Sequence, residues 1–392
     1  MSAWKEVRLD DLVVFRNGKS TKGINDGDFP IFGSNGIIGA SAKAMYENAI
    51  ILGRVGAYCG SVAYCTGKFW ATDNTIVVEP KAGIFDVRFA QYVLRHADLN
   101  RQATGSAQPL LTQTNLRGLL FMVPSLDEQR RIASILGAYD DLIEVNRRRV
   151  AILEAMARGL FEEWFVRFRF PGHENHKIID TPDGPLPEGW RLGKISDLVR
   201  LKSGFAFKSS AFVEGGQFGL VTIKHVHNGD LIPPFESRLS QLPPQMPAFC
   251  HIVDGDILLS LTGNVGRTCL AWGDGLLLNQ RVAKIEPVAG NARSFAYAFF
   301  RLPLTRTALE NISNGAAQQN LSPVRTMDLS IKIPTEGLLL QFEIAVGPML
   351  DAVVGLKKST AILAAQRDIL LPRLISGELS VAAVERELEA AA

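Results

Sequence analysis

Residues 125–165 read SLDEQRRIASILGAYDDLIEVNRRRVAILEAMARGLFEEWF. The stretch holds no proline, and its only glycines are Gly137 and Gly159. Apolar or core-compatible residues recur in alternating steps of four and three: Ile132, Leu136, Tyr139, Ile143, Asn146, Val150, Leu153, Ala157, Leu160 and Trp164. That spacing predicts a long helix whose heptad seam must be covered by a second helix. Ser125, after Pro124, is placed to cap its start, with Glu128 as the capping-box partner. Pro171-Gly172 marks its latest stop. The covering helix is in the same chain. Displaced by 210 residues, the seam becomes Phe342, Val346, Met349, Val353, Leu356, Thr360, Leu363, Arg367, Leu370 and Leu374, eight of the ten apolar. The chain is therefore an internal repeat.

Outward from the helices, the remaining chain repeats as well. Residues 1–124 read as a β-rich globule with glycine turns. Trp4 to Phe15 alternates like a strand, Ala49–Leu52 and Thr75–Val78 are further strand candidates, and Val87–Leu99 has helical spacing. Residues 125–168 form the first helix, and the proline- and glycine-rich 169–188 reads as a linker. A second globule spans 189–334, a second helix 335–378, and a tail 379–392. Trp4, Leu12 and Gly18 match Trp190, Leu198 and Gly204 at an offset of 186, Glu79-Pro80 matches Glu286-Pro287 at 207, and Pro124 matches Pro334 at 210. The drifting offset places insertions in the second globule, chiefly between His225 and Pro247. The expected class is α+β, two β-rich domains in repeat separated by two long helices.

Composition narrows the function. The chain has 392 residues, 47% of them hydrophobic, which excludes general disorder and leaves room for several cores. No uninterrupted apolar run reaches the roughly 18 residues of a membrane span, so a soluble, cytoplasmic chain without membrane contact is expected. Cys59, Cys65, Cys250 and Cys269 form no CxxC pair and read as reduced thiols rather than a metal site. The net charge of +2 is unevenly spread: the globules carry +3 and +5, and the helices, linker and tail are slightly acidic. Basic globules suit a polyanion.

Enzyme motifs fail on their chemistry. Gly33-Ser34-Asn35-Gly36 and Gly263-Asn264-Val265-Gly266 fit neither a dinucleotide fingerprint nor a P-loop. Ile232-Pro233-Pro234-Phe235 lacks the polar first residue that an amino-methyltransferase needs to hold its target amino group. No Ser-His-Asp or Cys-His set assembles, and no catalytic or metal-binding residue is assigned. The residues that stand out are hydrogen-bonding groups at turns. In the first globule these are Lys19, Lys22, Ser34, Asn35, Arg54, Thr72 and Asn74. In the second they are Lys202, Lys208, Ser209, Lys224, His225, Thr262, Asn264, Arg267, Asn279, Gln280, Arg281 and Gln318. Thr262, Asn264 and Arg267 are matched with the Arg54 loop, and Asn279-Gln280-Arg281 with Thr72-Asp73-Asn74. Asn and Gln can read adenine edges, and Arg and Lys guanine edges or phosphates. His225 reads as a surface or DNA-facing group.

Together these pieces resemble the specificity subunit of Type I restriction-modification systems, over essentially the whole chain. The resemblance rests on Trp190-Arg191-Leu192-Gly193 with Gly204-Phe205-Ala206-Phe207-Lys208-Ser209, on Gly33-Ser34-Asn35-Gly36-Ile37, and on Gly255-Asp256-Ile257-Leu258 running to Gly263-Asn264. It rests further on Pro124 with Asp127-Glu128-Gln129-Arg130-Arg131-Ile132-Ala133, and on Leu371-Pro372-Arg373-Leu374-Ile375-Ser376-Gly377-Glu378-Leu379. The second helix departs from the pattern at its start, reading Glu336-Gly337-Leu338-Leu339-Leu340-Gln341. The resemblance implies two target-recognition domains in pseudo-two-fold repeat, each reading half of a bipartite, asymmetric site on double-stranded DNA, with an antiparallel coiled coil as spacer. It implies two methyltransferase subunits and restriction subunits as partners, which hold the S-adenosylmethionine, ATP and Mg; this chain binds no cofactor and is not itself an enzyme. The 32 residues from Ile132 to Trp164 span about 48 Å of helix, roughly 14 base pairs of DNA. Two readings compete: a stand-alone DNA-modifying enzyme, and a duplicated scaffold that binds protein or carbohydrate.

Overall fold

The computed structural model describes residues 4–22, 26–105, 109–313, 320–383 and 386. The two long helices are Leu126–Phe161 and Glu336–Ile375, starting 210 residues apart as the repeat predicts. Their starts are capped alike: the Glu128 N–H donates to Ser125 Oγ at 3.4 Å, and the Leu338 N–H to Thr335 Oγ1 at 3.3 Å. The cap sets the boundary, so the second helix begins on register despite its altered first turn. The first helix ends in one wide π turn, Glu162–Val166.

The chain divides into two compact units, Met1–Ile143 with Ile362–Ala392, and Glu144–Ala361. Both divisions fall inside the long helices. Each globule thus takes the first half of one helix and the last half of the other, rather than standing apart from them as the linear division of the sequence supposes. The cause is burial, since the seam residues at the helix ends belong to the globular cores.

In the first unit a six-stranded sheet runs in the order Val13–Asn17, Thr75–Pro80, Tyr46–Gly53, Val62–Ala71, Phe29–Gly33, Gly36–Ser41. Ile50, Leu52, Ile76 and Val78 pack under the helix Val87–His96 through Phe89 and Leu94, and the same core takes in Ile132, Leu136, Leu374 and Ile375. The strand predicted from Trp4 to Phe15 is broken by a helical turn, Leu9–Leu12, which buries both leucines in that core. Part of the tail docks here too: Val381 is buried, and Gly377, at φ +76, leaves room for the Trp4 indole. Arg367, which interrupts the predicted seam, is paired. Its Nη1 lies 2.6 Å from Asp140 Oδ1, and the Tyr92 hydroxyl donates to Asp140 Oδ2 at 2.7 Å.

The second unit repeats the first with its long strand broken. One sheet runs Val199–Ser203, Val282–Pro287, Ile257–Ser260, Thr268–Leu270, and another Arg238–Leu239, Phe218–Val221, Leu276–Leu278, His251–Ile252. The copies agree residue by residue: Val13 pairs with Pro80 and Val199 with Pro287, and Lys5 pairs with Val123 and Arg191 with Ile333. The segment predicted as a plain linker forms a hairpin, Ile178–Thr181 with Gly184–Pro187. Its Phe170 and Leu186 are buried beside Trp190, because apolar surface outweighs the proline and glycine content there.

Within this unit the helices run antiparallel. Phe342, near the start of the second, meets Trp164 and Phe165 at ring distances of 5.5 and 4.9 Å, and Asn146 Nδ2 donates to Ser359 Oγ at 3.4 Å. Ile132, Leu136, Ile143, Phe342, Val346 and Val353 are buried as the heptad predicts; Tyr139, Val150, Leu153, Leu356, Leu363 and Leu370 are half-buried. Toward the end of the first helix Phe161 and Phe165 replace Leu160 and Trp164 as the buried residues. A 3.6-residue helix drifts against a strict seven-residue repeat, and the π turn adds to the drift. The second helix is long and apolar enough, by length and composition, to cross a membrane, although Gln341, Glu343 and Asp351 interrupt its apolar run. Its apolar side is core: Phe342, Val346, Leu350 and Val353 are fully enclosed. All four cysteines are unpaired thiols.

Candidate nucleic-acid interface

At one end of each globule the same backbone hydrogen bonds frame a four-residue turn. The Thr75 N–H closes Thr72–Thr75 onto the Thr72 carbonyl, and the Val282 N–H closes Asn279–Val282 onto that of Asn279, both at 2.9 Å. The strand behind the turn is fixed by Thr72 N–H to the Phe32 carbonyl in one copy and Asn279 N–H to that of Val221 in the other. The loop in front is fixed by Arg54 N–H to the Asn74 carbonyl and by Leu261 N–H to that of Arg281, each at 2.9 Å. A glycine lies against each turn of necessity: a Cβ at Gly18 would sit 1.9 Å from the Thr72 carbonyl oxygen, and one at Gly204 2.3 Å from that of Leu278.

The matched turns occupy corresponding places, and one sequence match is corrected. The counterpart of Arg54 is Leu261, and that of Val55 is Thr262, which bridges to Asn320 as Val55 bridges to Leu110. The loop keeps the offset of 207 seen at Glu79 and Glu286, whereas the likeness of Gly53-Arg54-Val55-Gly56 to Gly263-Asn264-Val265-Gly266 lies at 210 and misplaces it by three residues. Asn264 and Arg267 belong to the loop beyond, where the Asn264 carbonyl accepts from Ser260 Oγ and the Arg267 N–H donates to that same oxygen.

In the first globule the structure brings Lys19, Ser34, Arg54, Thr72 and Asn74 together. The Lys19 N–H reaches the Ala71 carbonyl at 2.8 Å, and its side chain is exposed. Ser34 Oγ donates to the Asn74 carbonyl at 2.7 Å and accepts from the Arg54 and Val55 amides, so it ties three loops together. Asn35 is exposed at the hairpin tip, and Lys22 is exposed further along the strand connection. In the second globule Thr222, Lys224, His225, Glu236, Asn279 and Arg281 line one cavity of ≈ 330 Å³. Gln280 and Arg281 are exposed beside it, as are Lys208 and Ser209 on a separate turn, Ser209–Ala211. Gln318 lies outside the described residues.

Two assigned residues are engaged within the fold. Lys202 Nζ lies 2.5 Å from Glu286 on the adjacent strand and 5.3 Å from the Phe249 ring, so its charge is used within the sheet. His225 is not a surface group. It is buried, its Nδ1 accepts the Thr222 N–H at 3.0 Å, and its ring packs on Phe235. Burial holds its pKa below the usual imidazole value. Sequence reasoning missed Thr222 and Glu236, which only strand pairing places at the site.

Among the described residues, six buried side-chain polar atoms have no partner, and three are at these turns: Arg54 Nε, Thr72 Oγ1 and Thr262 Oγ1. Buried polar atoms are nearly always satisfied, so these atoms, two in the first globule and one in the second, have capacity for a further hydrogen-bond partner. The surrounding exposed groups are amides, a carboxylate and basic side chains, the set that reads base edges and phosphates.

Residues 1–155 and 187–345 each match the model of the Type I restriction modification DNA specificity domain. The chain belongs to this family. Among relatives of this Type I specificity family member, the Type I restriction enzyme MjaIX specificity subunit of Methanocaldococcus jannaschii is 27% identical over 286 residues, 71% of this chain and 64% of that protein. The chain thus spans just under two thirds of that relative's length. The HindI specificity subunit of Haemophilus influenzae is 22% identical over 460 residues, covering 97% of this chain and 100% of that protein. The crystal structure of a Type I restriction-modification S subunit from M. genitalium has the same fold, with a TM-score of 0.68 at 17% identity, covering 95% and 96% of the two chains.

Proposed function

We propose that this chain is the sequence-reading, non-catalytic subunit of a Type I restriction-modification assembly. Each globule reads one half of a bipartite, asymmetric site on double-stranded DNA, and the paired helices set the gap between the halves. The observation that carries this is the duplicated turn. Two family domains hold the same hydrogen-bonded scaffold, present different exposed side chains on it, and leave at least one buried polar atom unsatisfied beside it. One scaffold with two side-chain sets is what an asymmetric site asks of its reader. The DNA, two methyltransferase subunits and restriction subunits are the partners in this reading. S-adenosylmethionine, ATP and Mg belong to those subunits, and the work is done in the cytoplasm.

The test is to express the chain with its methyltransferase partner and map modified bases across the host genome. The expected result is one bipartite motif with unlike halves and a fixed gap. Removing one heptad from each long helix should shorten the gap and leave both half-sites unchanged. A purified chain that methylates or cuts DNA alone would establish a stand-alone enzyme instead, and altered half-sites at an unchanged gap would refute the spacer role.

A further inference from the structure

We infer that Asn74 and Arg281 are the corresponding base-reading residues of the two domains, Asn74 directed at an adenine and Arg281 at a guanine. The inference rests on the DNA-reading role proposed above and assigns it to one position in each copy. Both are the third residue of the closed turns Thr72–Thr75 and Asn279–Val282, and the carbonyl of each accepts from the loop in front, Arg54 or Leu261. The first and last residues of the first turn, Thr72 and Thr75, are buried, as are Leu278 and Val282 around the second. The Asn74 carbonyl also accepts from Ser34 Oγ, and the Arg281 N–H donates to Asn279 Oδ1 at 3.4 Å. Each backbone is therefore held from several sides.

The side chains are not held. Both are exposed, and among the described residues neither makes a side-chain hydrogen bond or ion pair. A fixed backbone with an unengaged polar tip is the arrangement in which little order is lost when the tip meets its target. The neighbours supply what such a target would complete. Arg54 Nε and Thr72 Oγ1 are buried without partners beside Asn74, and Thr262 Oγ1 is buried without a partner beside Leu261, whose N–H holds Arg281.

The chemistry then separates the two bases. A carboxamide offers one acceptor and one donor group, which fit the adenine amino group and N7; the guanidinium fork offers two donors, which fit guanine O6 and N7. The surroundings agree with that division. Exposed Asp73 precedes Asn74, and its charge disfavours a guanine carbonyl while favouring an amino group. Uncharged Gln280 precedes Arg281, and Lys224 and Glu236 line the same cavity with opposite charges, so no net negative charge there opposes a guanine carbonyl. Leu261 in place of the half-buried Arg54 removes that cation from the second copy, leaving Arg281 as the basic group at that turn itself.

The experiment uses the full chain co-expressed with its methyltransferase partner and reads base preference at every position of both half-sites. Arg281→Asn should relax a guanine in the second half-site, lowering its preference by roughly 10- to 100-fold, with the first half-site intact. Asn74→Arg should shift an adenine in the first half-site toward guanine, with the second intact. Arg281→Lys keeps the charge without the fork, and should keep methylation while losing most of the guanine preference. Unchanged base preference in Arg281→Asn, or a uniform fall in methylation with both motifs preserved, would make Arg281 a phosphate contact and overturn the assignment. If Arg281→Asn abolishes methylation, Arg281→Gln, which also lacks the cation but keeps more of the reach, decides by the same criterion. A wild-type complex that modifies no bipartite motif would instead remove the DNA-reading role itself.

Discussion

Replacing Arg367 by methionine tests how the first unit holds its two half-helices together. Arg367 Nη1 stands 2.6 Å from Asp140 Oδ1, and the Arg367 side chain is 12% exposed against 27% for Asp140. Tyr92 donates to the other carboxylate oxygen, and burial together with that carboxylate raises the Tyr92 pKa. Arg367→Met strands a mostly enclosed carboxylate with one neutral donor. Breaking a fully buried pair costs about 3–5 kcal/mol, and the residual exposure of Asp140 brings this to about 2–3 kcal/mol. Arg367→Met with Asp140→Leu removes both charges and leaves the Tyr92 hydroxyl unsatisfied, at about 1 kcal/mol. The double variant should therefore be more stable than the first single one, by about 1–2 kcal/mol. In melting temperature the single change should lower the first unit by about 4–10 °C. Hydrogen exchange at the amides of Val87–His96 localises the loss to that unit. Equal stability of the single and double variants would show that no buried pair exists, and the seam would then be held by its apolar residues alone.

Other outcomes follow from the same geometry. Phe342→Ala removes a fully enclosed ring from the Phe161–Phe165–Trp164 cluster and should cost about 3–5 kcal/mol, whereas Ile344→Ala on the exposed side should cost under about 0.5 kcal/mol; denaturant titration compares them. His225 has a lowered pKa, so below about pH 6.5 the unfolded chain takes up a proton that the folded one does not. The second unit should be at full stability above that pH and lose it as pH falls toward the folded value. His225→Asn should flatten the trend in melts between pH 7.5 and 5.5. Salt titrations of DNA binding by the assembled complex should separate the lysines. Lys19→Ala and Lys224→Ala should each lower the slope by about 1, and Lys202→Ala should leave it unchanged because Glu286 already holds that charge.

The helices were legible because nothing is inserted in them. A constant offset of 210 carries the seam, the caps and the burial of Ile132 and Phe342 from one copy to the other. The globules were legible only in outline. Gly18 with Gly204, and the turn residues with one another, follow from short-range matches, but leucine for arginine leaves no residue likeness, so Leu261 as the counterpart of Arg54, although at the same offset of 207 as Glu79 and Glu286, is revealed only by the matching bridges. Burial was the other blind spot. His225 looks like any histidine in a polar run until Phe235 covers it, and Phe170 and Leu186 look like linker residues until Trp190 does. Orphaned atoms such as Thr72 Oγ1 have no sequence signal, since they are defined by what fails to approach them.

The division inside the long helices has a consequence for synthesis. Glu144–Ala361 is one continuous segment, so a ribosome can deliver it whole, whereas the first unit is not complete until Ile362 onward has emerged. At ~5–20 residues per second the intervening segment takes roughly 10–40 s. For that interval the sheet of the first globule is made, but the side of Ile132 and Leu136 that receives Leu374 and Ile375 stands open. The part translated first is thus the part closed last, and a nascent chain stalled before residue 362 presents a long-lived apolar face to chaperones and to neighbouring chains on the same message.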